Sequence, residues 1–140
     1  MRTKLFIAAC AALVAVAAGA TVSAHHSFGA EFDANRPVKL QGTVVKMEWI
    51  NPHSWIHIDV KDPVTGKVER WIVEGGAPNA LLRRGWNRKS LTEGTPIIVE
   101  GYQAKDGTNR ANGRDITFPD GKKLFVGSSG TGAPDERPER

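Results

Sequence analysis

The sequence predicts a mainly β fold: a small OB-like Greek-key barrel of five to six strands, with one short helix between strands three and four. Composition is the first observation, since 15 Gly and 8 Pro among 140 residues favour frequent turns over long helices. The second is patterning, because short segments alternate apolar and polar residues with a period of two between clusters of turn residues. The third is order: three strands, a short helix and two or three strands, the first strand long and bent, is the order of an OB barrel. A β-sandwich wants about seven short strands, more than this chain supplies.

The first strand runs from about Val38 to Ile50. Val38, Leu40, Gly42 and Val44 share one face, and Val45, Met47 and Trp49 then carry the apolar phase. A one-residue change of phase beside a Gly is the mark of a bulged, sharply bent strand. The second strand, Ser54 to Lys61, alternates cleanly, with Ile56, Ile58 and Val60 inward and Trp55, His57 and Asp59 outward. Asp62 to Lys67 is a hairpin loop by its turn residues. In the third strand, Val68 to Glu74, either Trp71 with Val73 or Val68 with Ile72 can form the inward set, and a pairing that opposes Asp59 to Arg70 favours Trp71 in the core. The helix is expected over Ala77 to Arg84, with Pro78 near its start and Gly85 as its stop. Strands follow at Pro96 to Ala104, Ala111 to Phe118 and Lys123 to Val126, the last after the turn Pro119-Asp120-Gly121-Lys122.

The ends of the chain differ from this body. Arg2 and Lys4, an apolar run from Leu5 to Ala20 and the small-residue site Val22-Ser23-Ala24 have the form of a secretory signal peptide over residues 1–24. The run is about 16 residues and mostly Ala, shorter than the ~20 a membrane-spanning helix needs. Residues 25–36 are a polar arm that Phe28 and Phe32 can pin, the barrel domain covers 37–127, and 128–140 has the composition of a disordered tail. Cleavage after Ala24 leaves 116 residues without Cys, and 17 Lys and Arg against 15 Asp and Glu give a net charge of +2. A periplasmic or secreted monomer held by packing alone is the expectation. So small a positive charge, together with export, excludes nucleic acid as a partner, and no transmembrane segment remains after cleavage.

Ala24-His25-His26-Ser27-Phe28, Asn51-Pro52-His53-Ser54-Trp55, Pro78 to Trp86 and Val99-Glu100-Gly101-Tyr102 form a distinctive set. With these motifs the chain resembles a family of small exported bacterial proteins of unknown function, over about residues 24 to 127. The resemblance implies export and brings no activity.

All four His, His25, His26, His53 and His57, lie in the exported part. Cleavage after Ala24 makes His25 the amino terminus, with an α-amine and an imidazole on one residue. A second His completes a three-nitrogen set suited to Cu(II). Copper or a similar metal is therefore the expected cofactor, held by His25 or His26 with His53 or His57. On a straight strand the last two lie about 13 Å apart at Cα, too far to share one ion. The alternative is a metal-free module that stacks a sugar, small ligand or protein segment on Trp55 and His57, with Trp49 and Trp86 alongside. Arg83, Arg84, Arg88 and Lys89 are the only dense basic run and form a candidate anion site, or else simply end a helix. No nucleophile–base spacing, phosphate loop or H-E-x-x-H motif is present, so the sequence points to binding rather than catalysis.

Overall fold

The computed structural model describes residues 27–134. Its elements are the short helix α1 (Phe28–Glu31), strands β1 (Phe32–Trp49), β2 (Ser54–Lys61) and β3 (Val68–Glu74), helix α2 (Pro78–Arg83), and strands β4 (Pro96–Ala104), β5 (Arg110–Thr117) and β6 (Lys123–Phe125). The strands form one sheet in the order β3-β2-β1-β4-β5-β6, and a further pairing of β3 with β5 closes five of them into a ring. Every pairing is antiparallel except that closure, which is parallel. This is the OB-like Greek-key barrel the element order predicts, with α2 between β3 and β4.

Closure depends on β1 serving two partners. Its first part pairs with β4 from Phe32 to Thr43 and its second with β2 from Gly42 to Trp49, with a bulge between Val44 and Lys46. An extra residue there bends the strand and reverses its phase, as the sequence indicated. Gly42 sits where the pairings overlap, and a Cβ on it would meet the Asp59 carbonyl at 2.8 Å.

The core holds Leu40, Val44, Ile56, Ile58, Val73, Leu81, Trp86, Leu91, Ile97, Val99, Ile116 and Val126. Burial of each large aliphatic side chain stabilises the fold by about 2 kcal/mol. Asp59 does oppose Arg70, and the two form an ion pair across the hairpin. Trp71 accordingly opposes Ile58 and packs, half-buried, against the core.

Two expected boundaries move by more than one residue. β1 begins at Phe32 rather than Val38, because Phe32 pairs with Ala104 and takes Asp33 to Arg36 into the strand. These polar residues have no alternation to reveal them. Residues 128–134, expected to belong to a loose tail, instead lie against the barrel. The Arg84 guanidinium donates to the Gly127 carbonyl at 2.7 Å and to the Ser129 hydroxyl. The Phe28 amide donates to the Thr131 carbonyl at 2.7 Å, and Ala133 packs on a second apolar cluster of Phe28, Phe32, Tyr102 and Ala104. The remainder of the tail and the whole signal segment lie outside the described residues. Among those described, no helix is long and apolar enough to cross a membrane.

Gly101 is the tightest point of the barrel, since a Cβ on it would lie 2.1 Å from the Asn112 carbonyl oxygen. Backbone atoms cannot move aside cheaply within a paired sheet. Gly101→Ala should therefore cost about 3 kcal/mol or more. Urea unfolding will show this as a lower midpoint at unchanged slope.

Candidate functional site

Alternation on β2 sends Ser54, Ile56 and Ile58 into the core and turns Trp55 and His57 to the outer face. Register then carries one outer row around the barrel. Glu48 on β1 opposes Trp55 on β2, Trp55 opposes Glu74 on β3, Glu74 opposes Asn112 on β5, and Asn112 opposes Tyr102 on β4. Register partners share a face, so these five side chains form a belt. At Tyr102 the belt is covered by α1, whose Phe28 ring meets the Tyr102 ring edge-on at 5.5 Å.

His53 enters this belt from the turn before β2, directly after the cis Asn51–Pro52 peptide. Its imidazole is nearly buried, 6.5 Å from the Trp55 ring, and its Nδ1 lies 3.5 Å from Glu74 Oε1. Glu74 is itself almost fully buried, unusual for a carboxylate unless it has a partner.

His57 belongs to a different pairing. Its Nε2 lies 2.7 Å from Glu48 Oε2, and the other Glu48 oxygen accepts from Lys46 Nζ at 2.9 Å. Lys46 first, and His57 second, hold the Glu48 carboxyl below its ordinary range. The contribution of this pair to stability is therefore present above the ordinary carboxylate range and is lost as acid titrates Glu48 in the folded chain. His53, in the turn before β2, thus meets Glu74 of β3, and His57 on β2 meets Glu48 of β1. The structure does not bring the two together, and among the described residues no group of three or more His, Cys, Asp or Glu could hold a metal. His25 and His26 lie outside the described residues.

The aromatic set is also divided. Trp55 is half-buried with the Arg110 guanidinium 6.0 Å from its ring centre, and Arg110 also lies 5.9 Å from the Phe32 ring and 2.9 Å from Glu31 Oε2. Trp49 packs against the core with Arg88 5.8 Å from its ring. Trp86 is core, its indole N–H donating to the Phe125 carbonyl at 2.9 Å, so it lines no outer face. The basic run is likewise dispersed. Arg84 stacks on Phe125 while it ties down residues 127–129, Arg88 caps Trp49, and Arg83 and Lys89 are exposed.

The family model described as a family of unknown function, DUF6152, matches residues 12–113. The chain belongs to that family. The DUF6152 match takes in all four His and every strand up to the middle of β5, and it stops before β6 and the docked tail. Comparison with curated proteins and with solved structures returned no match.

Sequence reasoning missed Glu74, Asn112 and Arg110, because their meeting depends on the parallel β3–β5 pairing. Opposite charges at the ends of predicted strands were the only available signal. Arg110 clamps α1 to the barrel, and both it and Glu31 are about one-third exposed, 35% and 33% at the side chain. Solvent screening leaves such a pair worth about 1 kcal/mol. Arg110→Ala should therefore quicken amide exchange at Lys105, which donates to the Glu31 carbonyl, by roughly fivefold.

Proposed function

We propose that this DUF6152 chain is an exported copper-binding protein whose ion is held by the amino-terminal nitrogens of His25 or His26 together with His53. The supporting observation is the position of His53. Its imidazole stands beside Glu74, in the same outer belt that runs through Asn112 to Tyr102, where Phe28 docks. Glu74 and Tyr102 are two strand spacings apart, about 10 Å. One residue, Ser27, separates His26 from Phe28, and extended chain covers about 7 Å over those two steps. His53 thus lies on the same belt as the point where the segment that carries His25 and His26 joins the barrel, which supports the reading.

The chemistry is consistent. An α-amine and two neutral imidazoles are nitrogen donors, and Cu(II) favours such a set over the hard oxygen ligands that suit Mg²⁺ or Ca²⁺. Export exposes the amine by cleavage and places the protein outside the cytoplasm, which the leader-like segment supports. His57, engaged by Glu48 on the β1 side, takes no part. The reading assigns no reaction. Recognition of a sugar or peptide on stacked rings has less support, because Arg110 already occupies the neighbourhood of Trp55 and Trp86 is interior.

Calorimetric titration of Cu(II) into protein beginning at His25 tests the reading. Each protein ligand of such a site carries on the order of 3 kcal/mol, so losing one should cost about a hundredfold in affinity. One extra Ala before His25, or His53→Ala, should produce that loss, and His57→Ala should leave affinity unchanged. Equal affinities across the set would refute it.

A further inference from the structure

We infer that the outer groove over Gly101, where β1, β4 and β5 run side by side, is a binding site for a small organic monocarboxylate, with Lys39 and Arg114 on its charged side and Tyr102 and Pro37 on its apolar side. The site is separate from the copper reading and shares no metal ligand with it.

Strand register builds the groove. Across β1 and β4, Pro37 opposes Tyr102, Val38 opposes Gly101 and Lys39 opposes Glu100. Across β4 and β5, Gly101 opposes Gly113 and Glu100 opposes Asp115, which leaves Arg114 as the extra residue of a bulge. A bulge re-aims the side chain at its extra position. Arg114 thereby lines a cleft of about 330 Å³, together with Pro37 and Lys39 from β1 and Glu100, Gly101 and Tyr102 from β4. At Gly101 a Cβ would lie 2.1 Å from the Asn112 carbonyl oxygen, so this part of the lining is bare backbone. The volume is that of a small-molecule pocket.

The charges on this face do not balance. Lys123 bonds Glu100 and lies 3.8 Å from Asp115, and the Asp115 carboxylate also accepts from Arg114 Nε at 3.1 Å. Lys39, Arg114 and Lys123 thus stand against two carboxylates. Lys39 is exposed and opposes Glu100, yet Glu100 bonds Lys123 instead, and Lys39 forms no ion pair among the described residues. Its ammonium is the surplus charge, and a single negative charge on a ligand neutralises it. A second negative charge would face Glu100, whose carboxyl Lys123 above all holds below its ordinary range and so keeps ionised. A monoanion therefore fits better than a phosphate. Pro37 and the ring of Tyr102 offer apolar surface to the body of such a ligand, and a cleft partly closed to water strengthens its ion pair relative to an open surface. Because the two cations come from strands distant in sequence, no local run of basic residues marks the site.

The experiment follows amide shifts by two-dimensional nuclear magnetic resonance in the chain beginning at His25, with phenylacetate as the probe. Saturable shifts should centre on residues 37–39, 100–102 and 113–114. Acetate, which has the charge without the ring, and phenylacetamide, which has the ring without the charge, should each bind about tenfold more weakly. Lys39→Gln should weaken phenylacetate by roughly fivefold to tenfold, Lys39→Arg should retain most of the affinity, and Lys67→Gln on the distant hairpin should change nothing. Lys39 is exposed, so an unchanged spectrum away from the groove will show that its variants are folded. Absence of saturable shifts at millimolar phenylacetate, shifts centred elsewhere, equal binding of the amide or of acetate, or a Lys39→Gln affinity within twofold of the parent each overturns the inference. None of these outcomes bears on the copper titration.

Discussion

Three residues of parallel pairing govern this molecule. Ile72, Val73 and Glu74 on β3 meet Arg110, Ala111 and Asn112 on β5, and this pairing joins the two ends of the five-stranded ring. Both faces of that short seam are used. Inside, Val73 and Ala111 are fully buried and complete the core, and outside, Glu74 and Asn112 complete the belt that runs from Glu48 to Tyr102. Parallel pairs are slightly weaker per residue than antiparallel ones, so a seam this short relies on its apolar inner face.

The same seam explains why the outer face is partly dry. A barrel of about 100 residues has little apolar surface to spare, yet Phe28, Phe32, Tyr102 and Ala104 form a second apolar cluster on the outside. The two ends of the described residues meet there, α1 contributing Phe28 and the segment 128–134 packing Ala133 against it. Arg84, read from sequence as an anion-binding or helix-ending cation, and Arg110 hold these segments through a backbone carbonyl, a carboxylate and aromatic faces.

How much could be read in advance follows from how local each feature is. The β2 and β3 strands were legible to the residue because alternation and the Asp62 to Lys67 turn are local signals. The bulge at Val45 was legible as a break in phase. Gly85 does stop α2, in the left-handed region at φ 89°. The first turns of β1 were not legible, since Asp33 to Arg36 are polar on both faces and only the Phe32–Ala104 pairing draws them in. Of the candidate site, the sequence identified His53 and its distance from His57. It could not supply Glu74, because a carboxylate at the end of a strand means little until a non-neighbouring strand closes beside it. Nor could it sort the four Trp, whose roles depend on which side of the barrel wall each one meets.

The hydrogen bond from Phe28 to the Thr131 carbonyl brings the two described ends of the chain to one spot. Topologically the protein is close to a circle, with its natural opening at that spot. A short linker across the gap and a new opening in the exposed Asp62 to Lys67 turn would rearrange the order of synthesis while keeping every strand pairing. Such a permuted chain would keep the barrel while moving its amino terminus to the β2–β3 hairpin. The fold and the terminal nitrogen are thus separable by connectivity alone, without altering a single side chain of the belt.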